Sequence, residues 1–389
     1  MKIAFIGARG VVGKYSGIET YYEEVGSRLV SLGHDVTVYC RSYFTPAVRG
    51  HRGMRVRRLP TIRGKHLETW LHSALATADA LFRGYDGVQF HALGSAPFAL
   101  LPRAVGAKTV VSVRGLDGRR AKWGAAARAY LTLCEQASVR FPDATVVVSR
   151  QLRHYYSDRY GAPVTFIPNG VTLREPRGAE ALASFGLRGR DYILYVGRLT
   201  PEKDCHLLVD AFERLDSMGA GLEARQTMKL VFVGGSTYAG DYVERLTRHA
   251  SDRILFLGFQ TGETLEALFS QAYLYVLPSR IEGQSISLLE AMGWGNGVLV
   301  SDIPENREVV EGCGLTFRTG DVEDLRQKLV DLIASPETVD RAGRAARARI
   351  ARDHAWDAVA RRTEAMFRQL VAGGTRDVES GAALTQPSN

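Results

Sequence analysis

Short apolar runs that stop at glycine or proline alternate along this chain with longer stretches whose apolar positions return every three or four residues. The first kind of pattern predicts buried strands and the second amphipathic helices. Lys2 to Ile6 reads as a strand, followed by a loop holding Gly7, Gly10, Gly13 and Gly17 and a helix from Glu19 to Leu32 that Gly33 closes. Val36 to Cys40 is the next strand. Further strands are expected at Val56 to Leu59, Gly87 to His91, Thr109 to Val113, Ala144 to Val148 and Val164 to Ile167, with helices near Glu68 to Phe82, Ala121 to Ser138 and Arg150 to Tyr160. Such a β-α-β order builds a doubly wound α/β domain, whose ligands sit beyond the carboxyl ends of the strands.

Pro168-Asn169-Gly170 breaks the series, and a polar linker is expected over residues 171–190. The alternation then resumes. Strands are expected at Tyr192 to Val196, Lys229 to Val233, Ile254 to Leu257, Ala272 to Leu277 and Gly297 to Ser301. The helices between and after them are Cys205 to Leu215, Tyr242 to Ala250, Thr264 to Ser270, a run into Gly293, Val322 to Ala334, Pro336 to Arg352 and Trp356 to Leu370. The expected organisation is therefore two Rossmann-like domains, residues 1–170 and 191–354, and a small, polar, disordered tail over 373–389. Two such domains on one linker form a cleft, the usual place for a ligand.

Composition and charge sharpen this picture. A chain of 389 residues that is 45% hydrophobic and 24% charged has material for two soluble cores. The apolar start is too short for a signal peptide, and no apolar run is long enough to span a bilayer, so the expected location is cytoplasmic. Cys40, Cys134, Cys205 and Cys313 have neither metal-ligand nor disulfide-framework spacing and are expected as reduced thiols. Residues 1–170 carry 24 Lys and Arg against 11 Asp and Glu, whereas the remainder is acidic on balance. Seven of those cations crowd into Arg49 to Lys65, at Arg49, Arg52, Arg55, Arg57, Arg58, Arg63 and Lys65. That cluster reads either as a solvated strand edge or as contact with anionic lipid on the inner face of a membrane. No nucleic-acid motif accompanies it.

The chemistry gathers around Pro278 to Gly293. Pro278 ends a strand, and Gly283 with Ser285 leads into a helix whose first amides, from about Gln284 through Ser285 and Ile286 to Ser287, are free to hold a diphosphate. Glu282 precedes those amides and Glu290 lies eight residues on. Because helical side chains lean toward the amino end, the two carboxylates flank the anion site, which suits a nucleotide-sugar with hydroxyls on both sides of its phosphates. At another strand end, Gly197-Arg198-Leu199-Thr200-Pro201-Glu202-Lys203 supplies two cations suited to a departing diphosphate.

The stretch from Glu282 to Val300, with its Leu-Glu-Ala-Met core, resembles the signature of retaining glycosyltransferases of family 4, which have the GT-B fold. Gly197 to Lys203 is similar to the G-R-x-x-x-E-K element of that family. The resemblance implies two Rossmann-like domains facing a cleft, with residues 355–372 returning as a helix to the N-terminal domain. It implies that Arg198 and Lys203 clamp the diphosphate, that Glu282 positions the hexose and Glu290 the ribose, and that backbone at Gly234 and Phe259 approaches the nucleotide. It also implies an acceptor-side loop at Ser16-Gly17-Ile18-Glu19, where glycine lets acceptor and donor phosphate approach. The run Arg114 to Gly124, with Arg120, Lys122 and Trp123, looks like a bacterial branch that includes rhamnosyltransferases of cell-surface polysaccharide assembly. That likeness implies a dTDP-rhamnose donor and a lipid-linked or saccharide acceptor. His91, at a strand end, is a candidate for polarising donor or acceptor. No Asp-x-Asp pair or clustered ligand set is present in the sequence, so neither a metal nor another cofactor is expected.

The N-terminal glycines allow other readings. A P-loop fails at Ala8 and Tyr15, where glycine and Ser or Thr are required. Gly7, Gly10 and Gly13 also suit the dinucleotide loop of nucleotide-sugar epimerases and dehydrogenases, although no tyrosine has a lysine four residues on. That reading, transfer from a UDP- or GDP-hexose, and a non-catalytic membrane-surface module stay open at this point.

Overall fold

The structure is a computed structural model, and it describes residues 1–12, 17–62, 64, 67–116, 124–215, 227–236 and 239–373. Along the first part of the chain run β1 (Lys2–Ile6), α1 (Gly17–Ser31), β2 (Asp35–Arg41), β3 (Gly50–His51), β4 (Met54–Leu59), α2 (Glu68–Ala80), β5 (Gly87–His91), α3 (Leu100–Ala104), β6 (Lys108–Val113), α4 (Ala125–Arg140), β7 (Ala144–Val147), α5 (Arg150–Tyr160) and β8 (Thr165–Phe166). The second part holds β9 (Tyr192–Val196), α6 (Cys205–Glu213), β10 (Lys229–Val233), α7 (Gly240–Thr247), β11 (Ile254–Phe256), α8 (Gly262–Ser270) and β12 (Leu274–Leu277). It continues with α9 (Ile286–Trp294), β13 (Gly297–Ser301), α10 (Pro304–Val310), β14 (Leu315–Phe317), α11 (Val322–Ile333), α12 (Pro336–Asp353) and α13 (Trp356–Val371).

These elements fall into two compact units, one reaching Pro168 and resuming at Asp357, the other running from Asn169 to Trp356. In the first unit the sheet order is β3-β4-β2-β1-β5-β6-β7-β8, parallel except where the short β3 turns back on β4. In the second it is β11-β10-β9-β12-β13-β14, parallel throughout. Both orders reverse direction once, between β1 and β5 and between β9 and β12. Ligands of such sheets bind at that reversal, outside the carboxyl ends of the strands.

The strands are near-continuous apolar runs because helices cover both faces of each sheet. Ile3, Phe5, Val38, Phe90 and Val111 are enclosed in one core, and Leu194, Val231, Val276 and Leu299 in the other. Helix α13 completes the first core: Phe367 lies where a Cβ on Gly87 would clash, and Tyr21 Oη meets Thr363 Oγ1 at 3.3 Å. All four cysteines are buried and unpaired. Burial pushes the thiols of Cys40 and Cys134 up to about 11 and that of Cys205 up to about 12.

Several short elements, α3 among them, escape the periodicity argument. β3 and β14 are too short to show it, the seven-residue α10 begins at Pro304, and a 3-10 segment over Leu93–Ala99 contains Pro97. Helix α4 starts at Ala125, while the expected start at Ala121 and the tail from residue 374 lie outside the described residues.

Candidate active site

The second unit brings its motif residues together at the β9/β12 reversal. β9 pairs with β12 only at Leu274↔Ile193 and Tyr275↔Leu194, so the two strands part before their carboxyl ends. Val196 then leads to Gly197-Arg198, and Leu277 leads to Pro278 and Glu282. The loops are joined by three cross-links. The Arg280 N–H donates to the Glu202 carbonyl at 3.0 Å, Lys203 Nζ pairs with Glu282 Oε1, and Arg280 Nε pairs with Asp204. Lys203 and Glu282 are 12% and 8% exposed, so their ion pair is shielded and costly to break from one side.

Asp204 is a non-glycine residue at φ 49°, with its carboxylate almost fully covered. Burial raises the Asp204 pKa, and the guanidinium of Arg280 works against that rise. Arg198 is half-exposed, and no carboxylate among the described residues pairs with its guanidinium. Its carbonyl accepts from Tyr195 Oη at 3.0 Å. Burial raises the Tyr195 pKa well above the usual phenol range, which keeps that donor protonated. Tyr275 Oη likewise donates to Ser287 Oγ at 2.9 Å and reaches the Val196 carbonyl at 3.4 Å.

Helix α9 starts as expected. Ser285 is its N-cap, with Oγ accepting from the Leu288 N–H at 3.3 Å, and Gly295 at φ 84° closes it. The buried Gln284 also has a job that its sequence position does not reveal: Oε1 accepts from the Asn169 N–H at 2.6 Å and its carbonyl from Asn169 Nδ2 at 3.1 Å. Gly283 is buried, while Ile286 and Glu290 are half-buried. Gly197, Gly234 and Gly258 stitch neighbouring strand ends, through Gly197 N–H to the Val233 carbonyl at 2.9 Å and Gly234 N–H to the Gly258 carbonyl at 2.7 Å. Phe259 beyond them is 57% exposed. Thr200 Oγ1, Glu202 Oε1 and Ser279 Oγ are buried polar atoms around these loops with no hydrogen-bond partner among the described residues.

The first unit corrects three expectations. Three amides of the glycine loop are already occupied, because Ala8 N–H donates to Tyr22 Oη at 3.2 Å, Arg9 N–H to Glu19 Oε1 at 3.1 Å and Val12 N–H to Glu23 Oε1 at 3.0 Å. Two carboxylates in that position repel a pyrophosphate, which weighs against the dinucleotide reading. Glu19, expected on the acceptor side, is 3% exposed and serves as an anchor of that loop. His91 is not at an open strand end: its ring centroid lies 4.9 Å from those of Tyr21 and Tyr22 and 5.5 Å from that of Phe5, with no solvent exposure. Burial, with Arg114 adding to it, depresses the His91 pKa well below the usual imidazole range. Arg114 does meet this cluster, with its guanidinium 4.0 Å over the Tyr21 ring. Burial lowers its pKa in turn.

The arginine-rich stretch is also less free than its sequence suggests. Arg52 pairs with Glu24, Arg55 with Asp35 and Arg57 with Asp79, at 3.2, 3.0 and 2.7 Å. Gly17 opens α1, whereas Ser16, Arg120, Lys122 and Trp123, like Arg63 and Lys65, lie outside the described residues. Asp204 and Arg280 went unnoticed in the sequence, although each adjoins a motif and their charges are opposite. Among the described residues no group of three or more His, Cys, Asp or Glu is placed to hold a metal ion, and no helix is long and apolar enough to cross a membrane.

Comparison with known proteins agrees with this geometry. The family model described as Glycosyltransferase Family 4 matches residues 15–175, and the one described as Glycosyl transferases group 1 matches residues 190–335. An uncharacterized glycosyltransferase of Methanocaldococcus jannaschii is 27% identical over 341 residues, 80% of this chain and 83% of that protein. Two further curated relatives align over less than half of their own length. Sucrose-phosphate synthase from Thermosynechococcus elongatus superposes with a TM-score of 0.81 at 24% identity, covering 96% of this chain and all of that one. Anabaena HepE, solved with UDP and glucose, superposes at 0.77 and 17% identity, over 95% of this chain and 100% of that one. With two parallel Rossmann-like sheets and a transferase match on each, the chain is a glycosyltransferase of the GT-B fold.

Proposed function

We propose that the chain moves a hexose from a nucleoside-diphosphate sugar to a hydroxyl of a lipid-linked or saccharide acceptor in cell-surface polysaccharide assembly, with retention at the anomeric carbon. The observation that carries this reading is the β9/β12 reversal, where the shielded Lys203–Glu282 pair ties two motif loops together while the half-exposed Arg198 guanidinium pairs with no carboxylate among the described residues. As the bond from the anomeric carbon to the phosphate oxygen breaks, negative charge builds on the diphosphate. Arg198, Lys203 and the amides at the start of α9 neutralise that charge, which lowers the barrier. Glu282 positions the hexose and Glu290 the ribose. The donor we favour is dTDP-rhamnose, whose deoxyribose leaves Glu290 only the 3'-hydroxyl. The UDP held by HepE supports a UDP-hexose as the competing donor. The reaction is read as cytoplasmic and independent of metal.

Thermal unfolding with UDP, GDP, dTDP, ADP and NAD tests this. A nucleotide at a hundred times its dissociation constant adds about 2.7 kcal/mol of stability. One nucleoside diphosphate should raise the midpoint, and Arg198→Ala should abolish that rise while leaving the ligand-free midpoint in place. Stabilisation by NAD alone, untouched by Arg198→Ala, would overturn the proposal.

A further inference from the structure

The chain enters the second unit at Asn169 and leaves it at Trp356, and these two crossings are knitted together. The Val171 N–H donates to the His354 carbonyl at 2.7 Å, and Val171 forms a parallel β-bridge with Ala355. His354 Nδ1 donates in turn to the Asn169 carbonyl at 3.0 Å, so its proton sits on Nδ1. Trp356 packs so closely on Gly170 that an added Cβ would stand 2.5 Å from the indole ring. Asn169, His354 and Trp356 are all buried.

Asn169 carries this junction to the start of α9, although it precedes Gln284 by 115 residues in sequence. Its N–H donates to Gln284 Oε1 and its Nδ2 to the Gln284 carbonyl, so it grips both the side chain and the backbone of the residue before the Ser285 cap. The second bond has a directional consequence. A trans peptide is planar, and its C=O and N–H point opposite ways. The Gln284 carbonyl and the Ser285 N–H belong to one peptide. Holding that carbonyl at Asn169 therefore turns the Ser285 N–H the other way, as one of the amides that the proposed reaction uses for the diphosphate. Both partners are buried, so removing either one leaves a polar group unsatisfied.

We propose that Asn169 is a positioning residue of the diphosphate site, which orients the first amide of α9 and carries the occupancy of the site back to both crossings. The inference rests on the donor site proposed above. Such coupling is reciprocal: a ligand that steadies the start of α9 steadies Asn169, and loosening Asn169 weakens the hold on the ligand.

Hydrogen exchange of the full chain, followed by mass spectrometry, reads both ends of this link. The probe is whichever of UDP, GDP, dTDP and ADP raises the unfolding midpoint most, at saturating concentration. In the unaltered chain it should slow exchange at residues 285–290 and at residues 169–171 together. Gln284→Met, which removes the acceptor of the Asn169 N–H, should keep the first effect and lose the second. Gln284→Glu retains an oxygen for that N–H and should restore it. Asn169→Ala, which lacks Nδ2, should bind the nucleotide roughly fivefold more weakly. Slowing confined to 285–290 in the unaltered chain, or full slowing at 169–171 in Gln284→Met, would overturn the inference and leave the donor site standing. No slowing at 285–290 with any of the nucleotides would overturn the donor site, and the inference with it.

Discussion

The two sheets reverse direction at equivalent places yet finish there differently. In the first unit β1 and β5 stay paired to Ile6↔Phe90, and Gly7, at φ 117°, brings the chain so close to β5 that an added Cβ would stand 1.8 Å from the His91 carbonyl oxygen. In the second unit the close approach is displaced by one strand. Gly234, at φ 127°, lies against Gly197, where a Cβ would be 2.0 Å from the carbonyl oxygen, and β9 and β12 are left to diverge. One reversal is sealed by backbone and aromatic rings, and the other is open and charged. A doubly wound sheet thus offers a site only where its strand ends separate.

The largest expected effect comes from filling either close approach. Gly7→Ala and Gly234→Ala combine a carbonyl clash with a left-handed backbone, so each should cost roughly 3 kcal/mol or more in urea denaturation. If Gly234→Ala were as stable as the unaltered chain, the account of strand-end packing would be wrong.

A smaller effect separates stability from binding at the open reversal. Removing one partner of the shielded pair, as in Lys203→Met, should destabilise by about 3 kcal/mol, because Glu282 is left unpaired. Lys203→Met combined with Glu282→Leu should recover much of that stability, yet neither variant should show a nucleotide-dependent rise in unfolding midpoint. A double variant that still responds to nucleotide would remove the pair from the site.

The sealed side makes the smallest prediction, and it concerns pH. Burial holds His72 down to about 4, with Arg41 adding to the effect, and holds His91 well below its usual range. Unfolded imidazoles protonate near pH 6.5, so below that the unfolded chain binds more protons and stability falls as pH drops. Above it these two groups contribute no pH dependence. His91→Phe should flatten the loss of stability between about pH 7.5 and about pH 5 in denaturation curves. It should also leave the pH profile of sugar transfer unchanged in shape, because an imidazole held neutral by burial does not change its protonation state over that range.

How far the sequence carries can be judged from particular elements. Strands such as Tyr192–Val196 and Leu274–Leu277 are legible because both faces of a parallel sheet are buried, which makes the whole run apolar. The same rule is silent on β14, whose three residues are shorter than any period. Within the candidate site, Arg198, Lys203 and Glu282 are singled out by likeness to the family's motifs, and the Ser285 cap by its place before a helical run. What could not be read is who holds whom: Lys203 and Glu282 are 79 residues apart, and Arg280 and Asp204 are 76. His91 failed for the opposite reason. Its place at a strand end was legible, but the closure over it by Tyr21 and Tyr22 comes from a helix folding back, which no local pattern encodes.

The four buried cysteines have one more consequence. With thiols at Cys40, Cys134 and Cys205 raised to between about 11 and about 12, almost no thiolate exists at neutral pH, and covered sulfur is closed to alkylating reagents. The native chain is therefore blank to maleimide dyes. A single cysteine placed on the surface of either unit would carry the label alone, with every natural residue of both cores left in place.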